Sequence, residues 1–477
     1  MACMCILPVK DNWTAKLYYH VRVEVIQRFK WMSLSAHPAS KCNQKTVYVE
    51  SYGCTANKFD LEVMLAHLTN AGDKIVGDPE GGDVLVINTC GVKTQTESRM
   101  LARLQVLSGF GKPVIVAGCL PKINMQAIKR VAPSFAAALD PYSVDRITIA
   151  VERALAGERN ILFLSDRPIV KITQPKIRLN RAVEIVQIAE GCTGACTFCC
   201  VRFARGRLFS YPKELILERV KKAVSEGVKE IWITSQDNGA YGLDIKTNLA
   251  ELLEEICRVN GDFMVRVGMM NPNHAMRILE PLVEAYRDRK VFKFLHLPLQ
   301  SGDDDVLKRM NRYYTVKDFM EVVNFFREFI PRITLATDII CGFPGESEEA
   351  FERTMRVIED VKPDIVNISK FLPRPRTPAA SMRQLPTKTL KERSRRLSAL
   401  ASRISLERNS SWIGWEGRII VDEKGRGSSW IGRNFAYKPV VIRSLDGVDD
   451  PLSKYVWVRI TEAYTNYLEG EVINPKS

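Results

Sequence analysis

The chain of 477 residues has no run of about 20 apolar residues, so no transmembrane helix is expected. It also lacks a clear secretory signal. Met1 to Leu7 is apolar but short, has no basic stretch before it, and soon meets Pro8 and Lys10. Its 12 cysteines are too sparse for the disulfide scaffold of a small secreted domain. Their grouping fits metal chemistry in a reducing cytoplasm. Acidic residues are the scarcer charge, leaving a formal net charge of +14 and a pI of about 9.2. Such a balance favours a polyanionic partner, RNA or DNA. Hydrophobic content of 46% and charged content of 26% are those of a globular protein, and the length suggests about three domains.

One stretch organises the rest. Cys192-Thr193-Gly194-Ala195-Cys196-Thr197-Phe198-Cys199 reads CxxxCxxC and follows the apolar alternating run Glu184–Ala189. A strand is expected to end there and a tight loop to begin, with Gly191 and Gly194 allowing sharp turns. Three thiolates on one short loop suit three corners of a 4Fe–4S cube. No fourth ligand stands at this spacing, so one iron is left open. A buried trio of cysteines or a zinc loop is the alternative, but zinc sites usually offer paired CxxC knuckles or histidine partners, and no second CxxC is present.

Three more cysteines sit at matching positions near the start. Lys45–Ser51 alternates like a strand and runs into Cys54; Asp83–Thr89 is a buried-strand run closing at Cys90; Pro113–Gly118 is a third, closing at Cys119. Helical patterns lie between them, one through Leu61, Met64, Leu65 and Leu68 and one over Glu97–Leu107. Strand–helix alternation implies a parallel, doubly wound sheet, whose strand ends gather at one edge. Cys54, Cys90 and Cys119 are therefore expected to converge, again as three ligands. Residues 1 to about 45, with Cys3, Cys5, Cys42 and the basic, aromatic run Trp13–Trp31, are expected to be a flexible or misassigned extension, Met32 being a candidate start.

The loop motif, with Phe198 before its last cysteine, resembles that of the radical S-adenosylmethionine (SAM) superfamily. That resemblance implies that the open iron chelates SAM, whose cleavage yields a 5′-deoxyadenosyl radical. Ser51–Asn57, Asn88–Val92 and Ala117–Pro121 resemble the amino-terminal domain of the methylthiotransferase branch, in which the three cysteines hold a second 4Fe–4S cluster. The likeness runs from about Val47 to Ile473.

After a linker at 161–182, six strand-like runs alternate with helical patterns. They begin at Val183 and continue as Glu230–Ser235, Phe263–Met269, Val291–His296, Ile333–Ile340 and Ile365–Phe371. Six βα units suggest a partial (β/α)6 barrel with its site at the carboxyl ends of the strands. By resemblance, Phe198, Ser235, Gln236, Gln300 and Asp338 are expected around the SAM. His296 reads as a satisfied core histidine, and Cys200, Cys257 and Cys341 as non-ligands. Arg376 stands where related sequences commonly have glycine, changing that loop and adding a cation suited to phosphate.

A helix over Thr387–Arg408 carries an apolar stripe of Leu390, Leu397, Leu400 and Ile404. Its other faces carry Lys388, Lys391, Arg393, Arg395, Arg396 and Arg403, either a solvated surface or an extension of an RNA-binding one. From Gly414 the chain turns β-rich, and its end resembles a TRAM domain, a small RNA-binding β-barrel. Exposed Arg418, Arg433, Lys438 and Arg459, with Tyr437 and Tyr467, are expected to grip phosphates and stack on bases.

The expected fold is thus α/β: a doubly wound domain at 46–160, a radical SAM barrel at 183–410 and a TRAM barrel at 411–477. The expected activity is tRNA methylthiolation with two 4Fe–4S clusters and SAM, fed by a reductase or ferredoxin-like electron donor. Trp430–Asn434 with Tyr437–Val441 resembles the archaeal and eukaryotic type, which acts on carbon 2 of N6-threonylcarbamoyladenosine, 3′ of the anticodon. The alternatives are isopentenyladenosine in tRNA, an aspartate of a ribosomal protein, or an RNA-binding iron–sulfur protein without turnover.

Overall fold

The structure is a computed structural model describing residues 44–91, 94–444 and 450–474. Cys3, Cys5, Cys42, the run Trp13–Trp31, Met32 and Val92 lie outside the described residues. Among the described residues, no helix is long and apolar enough to cross a membrane.

The amino-terminal domain is built on six strands: β1 (Thr46–Ser51), β2 (Lys74–Val76), β3 (Val84–Thr89), β4 (Val114–Gly118), β5 (Ala137–Leu139) and β6 (Ile161–Phe163). They pair in parallel in the order β2-β1-β3-β4-β5-β6. Both faces are covered, as parallel sheets require. Val47 and Val49 meet the helices Thr55–Asn70 and Ile147–Leu155 on one side. Tyr48, Leu85 and Ile87 meet the helices Thr94–Ser108 and Met125–Val131 on the other. The segment expected to be a linker therefore opens with a strand, because Ile161–Phe163 completes this sheet beside β5.

The central domain holds β7 (Val183–Gln187), a short antiparallel pair of β8 (Ala189–Glu190) and β9 (Phe209–Ser210), then β10 (Glu230–Thr234), β11 (Met264–Val267), β12 (Phe294–His296), β13 (Thr334–Cys341) and β14 (Ile365–Lys370). Strands β7, β10 and β11 form one parallel sheet and β12, β13 and β14 another. A parallel bridge between Val265 and Val291 joins them into a six-stranded partial barrel. Ile231, Ile233, Val265 and Val267 pack outward against the helices. By alternation, Trp232 and Arg266 face the lumen.

The carboxy-terminal barrel closes on itself as β15 (Glu416–Lys424), β16 (Trp430–Arg433), β17 (Pro439–Ile442), β19 (Leu468–Val472) and β18 (Tyr455–Ala463). It plugs the amino-terminal end of the central barrel. Tyr437 lies edge-on to Phe292 at 4.9 Å and tilted over Phe294 at 5.2 Å, and Ile420 joins Met264 and Ala336 in the same apolar cluster. The helix Thr387–Ser410 buries Leu390, Leu397, Leu400 and Ile404, as its stripe demands. Arg393 is not solvated. It is buried and paired with Glu346 at 2.7 Å and Glu348 at 3.0 Å, while Arg396 and Arg403 pair with Glu348 and Glu359.

The amino-terminal and central domains are joined by charge. The helix Thr55–Asn70 lies against β7 and is buried nearly all round, so its acids need partners. Asp60 pairs with Lys171 and with Arg205 (2.6 Å), and both cations also reach Glu190. All four side chains are at most 1% exposed. Removing one partner leaves a buried charge uncompensated. Replacing Lys171 by Met should lower unfolding stability by about 3–5 kcal/mol, read as an earlier midpoint in urea. An unchanged midpoint would show that the quartet holds nothing together.

Candidate active site

Each amino-terminal cysteine stands just past the end of a parallel strand, Cys90 and Cys119 directly and Cys54 after two residues. Cys54 caps the helix after β1, Cys90 follows β3, and Cys119 caps the short helix after β4. The three loops interlock. A Cβ on Gly53, whose φ is +124°, would lie 2.7 Å from the Cys90 Cβ, so only glycine fits there. A Cβ on Gly91 would come within 3.6 Å of the Cys119 Cβ. The Cys119 thiol donates to Asn57 Oδ1 at 3.6 Å, and Cys54 lies within its electrostatic reach. The three cysteines thus share one sheet edge.

The second set lies on the loop after β7 and β8. Gly191, at φ +70°, turns the chain where a Cβ would meet the Arg207 carbonyl oxygen at 2.0 Å. Gly194 does not adopt a left-handed turn; its bare Cα instead leaves room between the Cys192 and Cys196 sulfurs, which a Cβ would approach to 3.4 and 3.7 Å. Its N–H donates to Cys192 Sγ at 3.2 Å. The segment after the helix Asp304–Arg309 pins the loop: Asn311 donates to the Ala195 carbonyl at 2.9 Å and Arg312 to Cys196 Sγ at 3.0 Å. Phe198 packs edge-on to Phe343 at 6.5 Å.

These residues fit iron–sulfur ligands. Cys54, Cys192, Cys196 and Cys199 are half-buried and Cys90 and Cys119 buried, and backbone or guanidinium donors face the sulfurs. Burial pushes the Cys119 and Cys192 thiols up to about 11 and Cys199 up to about 12, so loading metal releases protons here. Among the described residues no three such side chains converge tightly enough for a single ion. In a cube each thiolate takes a different iron, so its ligands stand farther apart.

Arg205, six residues beyond Cys199, ties the segment after the second set to the first. Its guanidinium donates to Asn57 Oδ1 at 2.8 Å, the same atom that accepts from Cys119. Arg374 makes a second clamp, donating to Cys200 Sγ at 3.3 Å and the Gly91 carbonyl at 2.9 Å, and pairing with Glu97. Cys200 faces this clamp and not the loop's other sulfurs, consistent with a non-ligand role. Arg376 adopts a left-handed φ of +63°, a conformation that glycine takes more readily than a residue with a side chain. Its guanidinium stacks on Phe203 at 4.4 Å and donates to the Lys122 carbonyl.

At the carboxyl ends of the barrel strands, Gln236 accepts from the Gly191 N–H at 2.6 Å and so supports the cysteine loop. Ser235 accepts from the Asp237 N–H at 3.2 Å. Gln300 donates its N–H to the Asp338 carbonyl at 2.7 Å, and the Asp338 carboxylate meets His296 Nε2 at 3.0 Å. Sequence reasoning missed the chain that links this rim to the loop. Asp237 bonds His274 at 2.7 Å and Asn271 at 2.6 Å, Arg312 donates to Asn271, and His274 meets Thr193 at 3.2 Å. Although burial opposes it, the His274 and Asn271 hydrogen bonds hold the Asp237 carboxyl below its ordinary value.

The expected RNA face needs correction. Arg433 is buried and paired with Asp422 at 2.9 Å. Lys438 is buried against Asp364 and Asn409, both at 2.8 Å. Both are structural cations at the barrel junction, where Tyr437 is wedged as well. Arg418 and Arg459 are exposed, paired with Asp262 (3.4 Å) and Glu416 (2.7 Å), and Tyr467 stacks on Tyr464 at 4.6 Å.

Three family models match the chain: an uncharacterized protein family, UPF0004, at 46–140, the radical SAM superfamily at 186–358, and the TRAM domain at 412–473. A probable threonylcarbamoyladenosine tRNA methylthiotransferase of Pyrococcus abyssi is 45% identical over 434 residues, covering 90% of this chain and 99% of its own. The chain belongs to the threonylcarbamoyladenosine tRNA methylthiotransferase family. The Drosophila melanogaster member is 37% identical over 439 residues, 90% of this chain and 78% of its own. In fold, the chain is similar to the radical SAM methyltransferase TsrM of Kitasatospora setae, with a TM-score of 0.53 at 13% identity over 71% of this chain and 74% of that one. This methylthiotransferase is a radical SAM enzyme that uses SAM and 4Fe–4S clusters.

Anaerobic reconstitution should give about eight irons per chain, and replacing Cys192, Cys196 and Cys199 by Ala should leave about four. Iron and sulfide assays decide; about four irons in the intact protein would exclude two clusters.

Proposed function

We propose that this chain converts the C–H bond at carbon 2 of N6-threonylcarbamoyladenosine, 3′ of the tRNA anticodon, to C–S–CH3. The observation that carries this reading is the pair of three-cysteine sets on two domains, joined through Arg205 and Asn57. The names of the relatives supply the base. When bound, the clusters and SAM supply the radical, the sulfur and the methyl group. The protein's own part is to hold Cys192, Cys196 and Cys199 at the barrel mouth and Cys54, Cys90 and Cys119 opposite them. Arg312, Gly194 and Gln236 fix the loop, and Ser235, Gln300 and Asp338 line the rim for SAM. The electron comes from a reductase or ferredoxin-like protein in a reducing cytoplasm. An RNA-binding protein without turnover has no need of two incomplete ligand sets.

The test separates the two sets. With Cys54, Cys90 and Cys119 replaced by Ala, the reduced protein should still cleave SAM to 5′-deoxyadenosine, while mass spectrometry of tRNA nucleosides should find no methylthio product. Methylthiolation by this variant would remove the amino-terminal cysteines from the reaction.

The TRAM barrel presents Arg418, Arg459 and Tyr467 to the tRNA. Binding should weaken steeply with salt, and Arg459→Ala should lower the slope of log K against log salt by about 1, one phosphate contact. Lys438→Met should leave that slope unchanged and lower stability instead. Filter binding at several salt concentrations distinguishes these outcomes.

A further inference from the structure

The lumen of the central barrel is walled by three domains. Strand β14 forms its open edge, with all six residues partly exposed. The helix Thr55–Asn70 covers the β7 side, and the TRAM barrel forms the floor. Two cations border this space, and among the described residues neither meets an acid at ion-pair distance. Lys58 lies one turn along the helix from Cys54, its N–H bonded to the Cys54 carbonyl at 3.1 Å. Its half-buried ammonium lies within electrostatic reach of Cys54, Glu62, Arg266 and Glu423. Arg266 stands beside Trp232 in the β10–β11 register. Its guanidinium is ringed by Trp232 (5.5 Å), Phe294 (5.2 Å) and Tyr437 (5.3 Å), and its Nε is buried without an acceptor.

Among the described residues, neither cation has a hydrogen-bond or ion-pair partner. The nearby acids are spoken for or do not reach them. Glu62 pairs with Lys176 at 2.9 Å and accepts from the Leu179 N–H. Glu423 lies 3.8 Å from Arg433 and is half exposed. Glu230 bonds Trp232 at 2.8 Å, and burial pushes its carboxyl well above its ordinary value. Burial also pulls the Lys58 ammonium below its ordinary value. Two desolvated cations without counter-charge are costly unless an anion joins them.

We propose that Lys58 and Arg266 together bind the carboxylate of the threonylcarbamoyl group, selecting the modified adenosine over an uncharged one. This rests on the function proposed above. The chemistry is the match of one carboxylate to one ammonium and one guanidinium. Lys58 also ties recognition to position, because it rides on the helix that begins at Cys54.

The experiment compares two anticodon stem-loop RNAs, one with N6-threonylcarbamoyladenosine and one with its threonyl methyl ester, which lacks the charge. With the intact protein, the ester should raise KM about 10- to 100-fold, the range of a charged hydrogen bond. Lys58→Met and Arg266→Gln should raise KM for the acid by a similar factor and treat acid and ester alike. Lys58→Arg should restore part of the preference. Iron content equal to that of the intact protein reports that the variants are folded. Equal use of acid and ester by the intact protein would overturn the proposal, and that comparison needs no variant. Variants that still prefer the acid by the full factor, or that weaken acid and ester equally as loss of a backbone phosphate contact would, also overturn it. If the intact protein methylthiolates the isopentenyl base and not the acid, the proposed function itself fails, and this site with it.

Discussion

Four buried charges hold the amino-terminal domain to the barrel: Asp60, Lys171, Glu190 and Arg205. Their desolvation is costly, so they are stable only as a complete set, and that completeness fixes geometry. Glu190 immediately precedes the cysteine loop and Arg205 follows it. Asp60 lies on the helix that Cys54 caps. One network therefore sets the distance and orientation between two thiol sets belonging to different domains. An apolar interface of equal area would bind the domains but would tolerate sliding, since hydrophobic contact is non-directional.

The same logic recurs at the other end of the barrel. Lys438 reaches Asp364 and Asn409, and Arg433 reaches Asp422, each burying a cation where the TRAM barrel meets its neighbour. Aromatic contacts of Tyr437 with Phe292 and Phe294 supply the apolar part. The central lumen is thereby closed below and on one flank by elements from outside the barrel. Its remaining access is along β14 and at the mouth, where the cysteine loop, Gln236 and Asp338 stand.

The parts of this fold legible in the sequence were those with a local period. Alternation in Lys45–Ser51 and the apolar runs at Asp83 and Pro113 placed three cysteines at strand ends, and the sheet gathered them. Side chains whose partners are remote were not legible. Asp60 and Arg205 are 145 residues apart in the chain, and nothing near either announces the pair. Arg433 and Lys438 misled because a basic, aromatic stretch reads the same whether its charges face water or buried carboxylates. The strand Trp430–Arg433 shows little alternation of its own, since Gly432 interrupts its pattern and packs where a Cβ would meet Ile419 at 2.7 Å. His274 and Arg312 gave no signal because they support the loop from elements of their own.

The placement of the two cysteine sets between two domains has a consequence for the RNA. Both stand on loops clamped by Arg205 and Arg374 where two domains meet, a setting that a base stacked within its strand reaches poorly with its carbon 2. The nucleotide has to swing out of its stack and enter alone, and the cost of unstacking falls on the nucleic acid. A looped, single-stranded segment meets that cost far more cheaply than a duplex does. Selection between RNAs can therefore begin before any base is read, in how readily each one lets a single nucleotide go.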